Sequence, residues 1–120
     1  MTERVFITGA SSGIGAALAR HYAARGATLG LVARRRQALA YVMASLPCEH
    51  ASYCVDVADR AGLRDAAADF VARFGQPDVV IANAGVSVGT LTEEIGDLAA
   101  FERVMRTNVL GMVATFQPFV

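Results

Sequence analysis

The chain has 120 residues, enough for one domain with one core, and 54% of them are hydrophobic. Eleven acidic and eleven basic residues, spread along its length, cancel to zero net charge, which argues against the basic footprint of a nucleic-acid-binding protein. No apolar run nears the roughly 18 residues of a membrane span, and Met1-Thr2-Glu3-Arg4 leads straight into an apolar stretch, so no membrane or signal segment is predicted and a cytoplasmic protein is expected. Cys48 and Cys54 match no zinc or redox spacing, and His21 and His50 have no neighbouring ligand at metal spacing, so no metal site is expected.

Val5 to Thr8 is a short run rich in β-branched residues and reads as a buried strand. Thr8-Gly9-Ala10-Ser11-Ser12-Gly13-Ile14-Gly15 follows at once and opens a helix over Ile14 to Arg25. Glycines at such a junction let the backbone turn sharply, approach an anion closely, and aim the helix's unpaired N–H groups and positive dipole end at it. The stretch reads as a phosphate-binding turn, and a nucleotide's phosphates are the expected ligand. A glycine-rich turn serving only tight packing is the competing use, and the following strand bears on the choice. Gly26 suits the helix C′ position, and Thr28 to Ala33 is a second strand ending some 20 residues after the loop, where a dinucleotide fold meets the adenosine ribose. Arg34-Arg35-Arg36 comes immediately after it.

A helix over Arg36 to Leu46 and a strand over Ala51 to Val55 come next. Asp59 is placed to cap a third helix over Arg60 to Phe74, which Gly75-Gln76-Pro77 stops. Val79 to Ala82 is the fourth strand, and Val86 to Gly96, with its serines, threonines and glycines, reads as a loop over the sheet's carboxyl edge. A last helix begins at Leu98 behind Asp97 as N-cap and ends near Gln117-Pro118, with Phe101, Val104, Met105, Asn108, Val109 and Met112 on one face. Near-continuous apolar strands alternating with helices argue an α/β fold, a doubly wound parallel sheet of Rossmann type with about four strands and four helices. The apolar content exceeds the usual roughly 45–50%, so some apolar surface is expected to lack its partner.

The loop Thr8-Gly9-x-x-x-Gly13-x-Gly15, Asp56-Val57 after the third strand, Asn83-Ala84-Gly85 after the fourth and Asn108 in the last helix together resemble the short-chain dehydrogenase/reductase family, in its order and spacing. The resemblance implies that backbone amides from Ser11 to Ile14 meet a pyrophosphate, with the Ser11 and Ser12 hydroxyls reaching phosphate or ribose. Capping the helix is the competing use of these serines. Asp56 resembles the family's acceptor for the adenine amino group, with the Val57 amide facing the ring. Its alternative use is to cap the next turn. Asn83-Ala84-Gly85 is similar to the motif that keeps the cofactor crevice open, with Asn83 bridging backbone groups rather than doing chemistry. Asn108 matches the asparagine of the family's catalytic tetrad, thought to hold a water in a proton relay beside a bend in the helix that Gly111 would permit. The alternative is an amide satisfied by backbone within its own helix.

An NAD-preferring site places a carboxylate on the ribose 2′-hydroxyl at the end of the second strand. Here that position is Ala33, followed by Arg34 and Arg35. Arg34 is suited to pair with a 2′-phosphate and stack on adenine, with Arg35 assisting, so NADP(H) is expected over NAD(H). An arginine run that only solvates a helix start is the competing use.

The family's catalytic Ser and its Tyr-x-x-x-Lys pair are absent: Tyr22, Tyr41 and Tyr53 have Gly26, Ser45 and Val57 four residues on, and all eleven basic residues are Arg. The resemblance therefore implies that residues 1–120 are the N-terminal part of one dinucleotide-binding domain. The parent enzyme would transfer a hydride between nicotinamide and a carbonyl or alcohol substrate, and this segment alone would be inactive. The alternative is a complete, non-catalytic nucleotide-binding or subunit-contacting module. A homo-oligomer is a further expectation, since the family often pairs last-helix faces and Phe101, Met105 and Met112 suit that use as well as core packing.

Overall fold

A computed structural model describes residues 2–120, so of the opening stretch Met1 lies outside it. Four strands, β1 (Arg4–Thr8), β2 (Thr28–Ala33), β3 (His50–Cys54) and β4 (Val79–Ile81), form one parallel sheet in the order β3-β2-β1-β4. Helices α1 (Gly13–Ala24), α2 (Arg36–Ala44) and α3 (Arg60–Phe74) make the crossovers. The predicted doubly wound α/β architecture is the one observed. Strand order reverses at β1, where the next strand in sequence goes to one side and β4 to the other. Such a reversal leaves a crevice outside the carboxyl ends of the strands.

Strand alternation divides the core between the two faces. Val5, Ile7, Leu29 and Leu31 are fully buried with Ala16, Ala19, Leu39 and Val42 of α1 and α2. On the other face Phe6 and Val32 pack with Val57, Leu63 and Phe70, and the Phe6 and Phe70 rings meet edge to face at 5.5 Å. Gly30 is what admits that pair: a Cβ there would lie 2.8 Å from the Phe6 ring. Asp59 caps α3 as predicted, its Oδ1 accepting from the Gly62 N–H at 3.0 Å, and Gly26, with φ of 81°, follows the α1 C-cap Arg25.

The last helix departs from its prediction in two ways. It is not one regular helix: α4 (Leu98–Met105) passes into a π turn over Arg106–Leu110, then α5 (Gly111–Phe116) and a 3₁₀ turn over Gln117–Phe119. Asp97 holds the N-cap position as predicted, but its side chain makes no capping bond. Its Oδ2 accepts instead from the Leu91 N–H at 2.9 Å and ties down the preceding loop. The apolar stripe, for which core packing and subunit pairing were both expected uses, faces outward, with Phe101 at 51%, Met105 at 40%, Val109 at 41% and Met112 at 44% exposure.

The inward residues are small: Thr107, Gly111 and Thr115 are buried. A Cβ on Gly111 would stand 2.6 Å from Val57 Cγ2, so the helix approaches the sheet through its least bulky line. Periodicity finds a face but not which face meets the core. The expected excess of apolar surface is therefore concentrated on this element, where Leu98, Leu110, Val113 and Phe116 are also exposed.

Candidate functional site

Four strand ends and one helix converge on a crevice of about 200 Å³. After β1 it is lined by Gly9, Ser11 and Ser12, after β2 by Arg34 and Arg35, after β3 by Asp56 and Val57, and after β4 by Asn83, Ala84 and Gly85. Among the residues singled out from sequence, these ten and Ala33 line the crevice. Gly13, Ile14, Gly15 and Asn108 do not.

Hydrogen bonds from β1 to the segment after β4 fix the wall. The buried Thr8 hydroxyl oxygen accepts from the N–H groups of Asn83 and Ala84, both at 3.1 Å, and Asn83 Nδ2 donates to the Gly9 carbonyl at 3.2 Å. The Asn83 side chain thus holds a single backbone group, the Gly9 carbonyl, in the loop after β1. Gly9, at φ of 67°, sits in the left-handed region, and a Cβ on it would lie 2.8 Å from Ala84 Cα. Gly15 is buried directly beneath, where a Cβ would overlap the Gly9 carbonyl oxygen and come within 2.6 Å of Asn83 Nδ2. This glycine supports the loop from below rather than lining the crevice.

Ser12 is the N-cap of α1 in extended conformation, yet its side chain makes no capping bond, so the competing use expected of it is not realised. The first amides of α1 and the Ser12 hydroxyl lack intrahelical partners and open to solvent with the exposed Gly13 and Ile14. Of the two uses expected of Asp56, the turn cap is the one realised. Oδ1 accepts from the Ala58 N–H at 2.9 Å and caps the turn, while Oδ2 has no partner among the described residues.

Arg34 and Arg35 are exposed at the rim, with no carboxylate in ion-pair range among the described residues. The Arg34 carbonyl accepts from the Cys54 thiol at 3.3 Å, which ties the rim backbone to the end of β3.

Asn108 lies in the π turn and is exposed, like the apolar stripe it shares a face with. Its side chain mimics a strand: Oδ1 accepts from the Val86 N–H and Nδ2 donates to the Val86 carbonyl, both at 2.8 Å. The amide is thereby satisfied outside its own helix, and it fixes the last residue of the crevice wall. Replacing Asn108 with alanine should free that residue, and the expected result is faster hydrogen exchange at the Val86 amide with little change at strand amides such as Ile7. Unchanged exchange at Val86 would show the bonds to be dispensable.

Sequence reading missed Val32, Val55, Val86 and Thr107 as lining residues. Val32 lies next to the end of β2 and Val55 just past the end of β3, and both were open to recognition from that position alone. Thr107 carried no comparable signal. None of the three tyrosines lines the crevice, and neither does any cysteine or histidine. Tyr53 is instead under α3, where burial and its 2.6 Å bond to Asp69 hold the phenol protonated far above its ordinary range. Asp78 lies at the opposite end of the sheet, its carboxyl held below the ordinary range by bonds from the Arg4 backbone and guanidinium. Among the described residues no group of histidine, cysteine and acidic side chains has metal-binding geometry, and no helix is long and apolar enough to cross a membrane.

The family model described as short chain dehydrogenase matches residues 3–120. An Arabidopsis thaliana 11-beta-hydroxysteroid dehydrogenase 1A is 40% identical over 116 residues, covering 92% of this chain and 33% of the relative. A putative ketoacyl reductase of granaticin polyketide synthesis from Streptomyces violaceoruber is 44% identical over 95 residues, 76% of this chain and 35% of that protein. Among solved structures, an alcohol dehydrogenase from Thermococcus sibiricus in complex with 5-hydroxy-NADP superposes with a TM-score of 0.91 at 32% identity, covering 99% of this chain and 52% of the other. The chain therefore spans about a third of the length of these curated relatives and about half of that structure. Fold, site geometry and these likenesses agree, and the chain belongs to the short-chain dehydrogenase/reductase family of oxidoreductases.

Proposed function

We propose that the crevice binds NADP(H) in preference to NAD(H), and that the chain is the cofactor-binding part of an oxidoreductase acting on a carbonyl or alcohol substrate. The observation that carries this reading is the convergence of three chemistries in one crevice. The open α1 N-terminus with Ser12 suits a pyrophosphate. Asp56 Oδ2 is an open acceptor for an adenine amino group beside the apolar Val57. The rim offers two unpaired arginines and no acid at the second strand's end.

The cradle fits such a group: Gly9, Ala84 and Gly85 keep bulk out of the wall where a ribose would lie. Nicotinamide, when bound, supplies the hydride chemistry. This chain's residues bind and orient the dinucleotide. The family's Ser and Tyr-x-x-x-Lys are not in this sequence, so the 120-residue species itself should reduce no carbonyl.

Fluorescence titration with NADPH and NADH is the test. Saturable binding of NADPH, displaced by 2′,5′-ADP and at least about tenfold tighter than NADH, is expected for one charge-assisted contact to the 2′-phosphate. No NADPH binding would overturn the site assignment, and equal affinities would overturn the preference alone. Carbonyl reduction by a mass-verified 120-residue species would overturn the division of labour.

A further inference from the structure

Three polar side chains are buried among the described residues: Thr8, Thr107 and Thr115, at 1%, 6% and 1% exposure. Buried hydroxyls are nearly always hydrogen-bonded, because leaving one unpaired costs free energy. Two of the three follow the rule. Thr8 accepts from Asn83 and Ala84, and Thr115 donates to the Gly111 carbonyl at 2.7 Å.

Thr107 has no such partner among the described residues. Yet no fully enclosed side-chain oxygen or nitrogen among them lacks a hydrogen bond. The Thr107 hydroxyl must therefore reach solvent, and the opening its residue lines is the crevice.

The backbone explains why this threonine differs from Thr115. Thr115 sits in α5, where its hydroxyl turns back to the carbonyl four residues earlier. Thr107 sits in the π turn, whose wider hydrogen-bond pattern shifts the preceding carbonyls out of that register. Its neighbours fix which part of the crevice it faces. Gly111, one turn on, packs against Val57, and Asn108, the next residue, is bonded to Val86. Thr107 thus stands between the wall made by Asp56 and Val57 and the wall made by Gly85 and Val86.

We infer that the Thr107 hydroxyl is a ligand-recognition group that hydrogen-bonds the adenosine portion of the dinucleotide. This rests on the proposal that the crevice takes NADP(H). No catalytic step is assigned to Thr107.

Thr107→Val keeps the shape and removes the hydroxyl, whereas Thr107→Ser keeps the hydroxyl and removes the methyl. Titrated with NADPH and with 2′,5′-ADP, the chain carrying Thr107→Val should bind both about three- to tenfold more weakly, by the same factor, as loss of one neutral hydrogen bond implies. Thr107→Ser should stay within about twofold of the unsubstituted chain, on the same scale. Equal affinity of the valine variant, or equal loss in both variants, would overturn the inference. A loss for NADPH without a loss for 2′,5′-ADP would also overturn it, since the contact would then lie outside the adenosine. Failure of the unsubstituted chain to bind NADPH is a separate result, which removes the crevice reading and this inference with it.

Discussion

Gly15→Ala lowers the stability of the chain by about 1–3 kcal/mol, against the direction that helix propensity alone would give. Gly15 lies inside α1 with ordinary helical backbone, where alanine is favoured over glycine by about 1 kcal/mol. The opposing effect is steric. The added methyl would overlap the Gly9 carbonyl oxygen and come within 2.6 Å of Asn83 Nδ2. Overpacking of this kind costs about 1–3 kcal/mol, and losing the Asn83 to Gly9 hydrogen bond adds about 0.5–1.5 kcal/mol, so the steric effect wins.

Gly13 is the informative control. A Cβ there meets nothing within 4 Å, and the whole cost comes from its φ of 54°, so Gly13→Asn should be nearly neutral while Gly13→Ala loses about 1–2 kcal/mol. Thermal unfolding distinguishes these cases. A Gly15→Ala midpoint within about 1 °C of the unsubstituted chain would mean that the loop yields freely. Because the same methyl displaces the loop carbonyl from Asn83, Gly15→Ala should also weaken NADPH binding, whereas Gly13→Asn should not act through that wall.

The three glycines were legible in sequence as a set, but their separate roles were not. One holds a left-handed turn at the crevice wall, one holds a left-handed turn in the open, and one makes room under the loop. Spacing encodes the loop, whereas the Asn83 and Ala84 atoms that crowd Gly9 and the Asn83 amide that crowds Gly15 come from the segment after β4, far along the chain. The same division runs through the rest of the molecule. Strands such as Val5 to Thr8 and Thr28 to Ala33 were readable because burial on both faces leaves little but apolar side chains in them.

The inward face of the last helix was not legible in sequence, because its buried residues there are Thr107, Gly111 and Thr115, which carry almost no hydrophobic signal. Most of its larger residues point outward, and Phe119 in the closing 3₁₀ turn is an exception, its ring 4.9 Å from that of Phe6. The π turn was also invisible, since no residue pattern marks it, although a bend near Asn108 was expected from the family resemblance. Asn108 lies within the last helical element, as its spacing indicated, yet the bonds it makes reach 22 residues back to Val86. No local periodicity could have identified that partner.

Arg34→Ala should weaken NADPH binding by roughly tenfold or more while leaving NADH nearly unchanged, which is the sharpest expectation the rim supports. The backbone from which Arg34 projects is anchored, since β2 ends in the buried Ala33 and the Arg34 carbonyl is bonded to the Cys54 thiol. Its guanidinium has no ion-pair partner among the described residues, so nothing in the chain competes with a phosphate for it. A charge-assisted bond to phosphate is worth about 1.5–3 kcal/mol. The exposure of the site puts Arg34 at the lower end, because solvent and salt screen it.

That same screening gives an independent reading. Raising ionic strength should erode the preference for NADPH over NADH in the unsubstituted chain and have little effect on the ratio once Arg34 is alanine. Arg35 provides the contrast, since it is the N-cap residue of α2, makes no side-chain capping bond, and starts a helix whose first turn holds no acid. If it only assists, Arg35→Ala should change the ratio by less than Arg34→Ala. Should Arg34→Ala leave the ratio of NADPH to NADH affinity where it was, the arginine run is a solvated helix start and the preference for the phosphorylated cofactor has lost its physical basis.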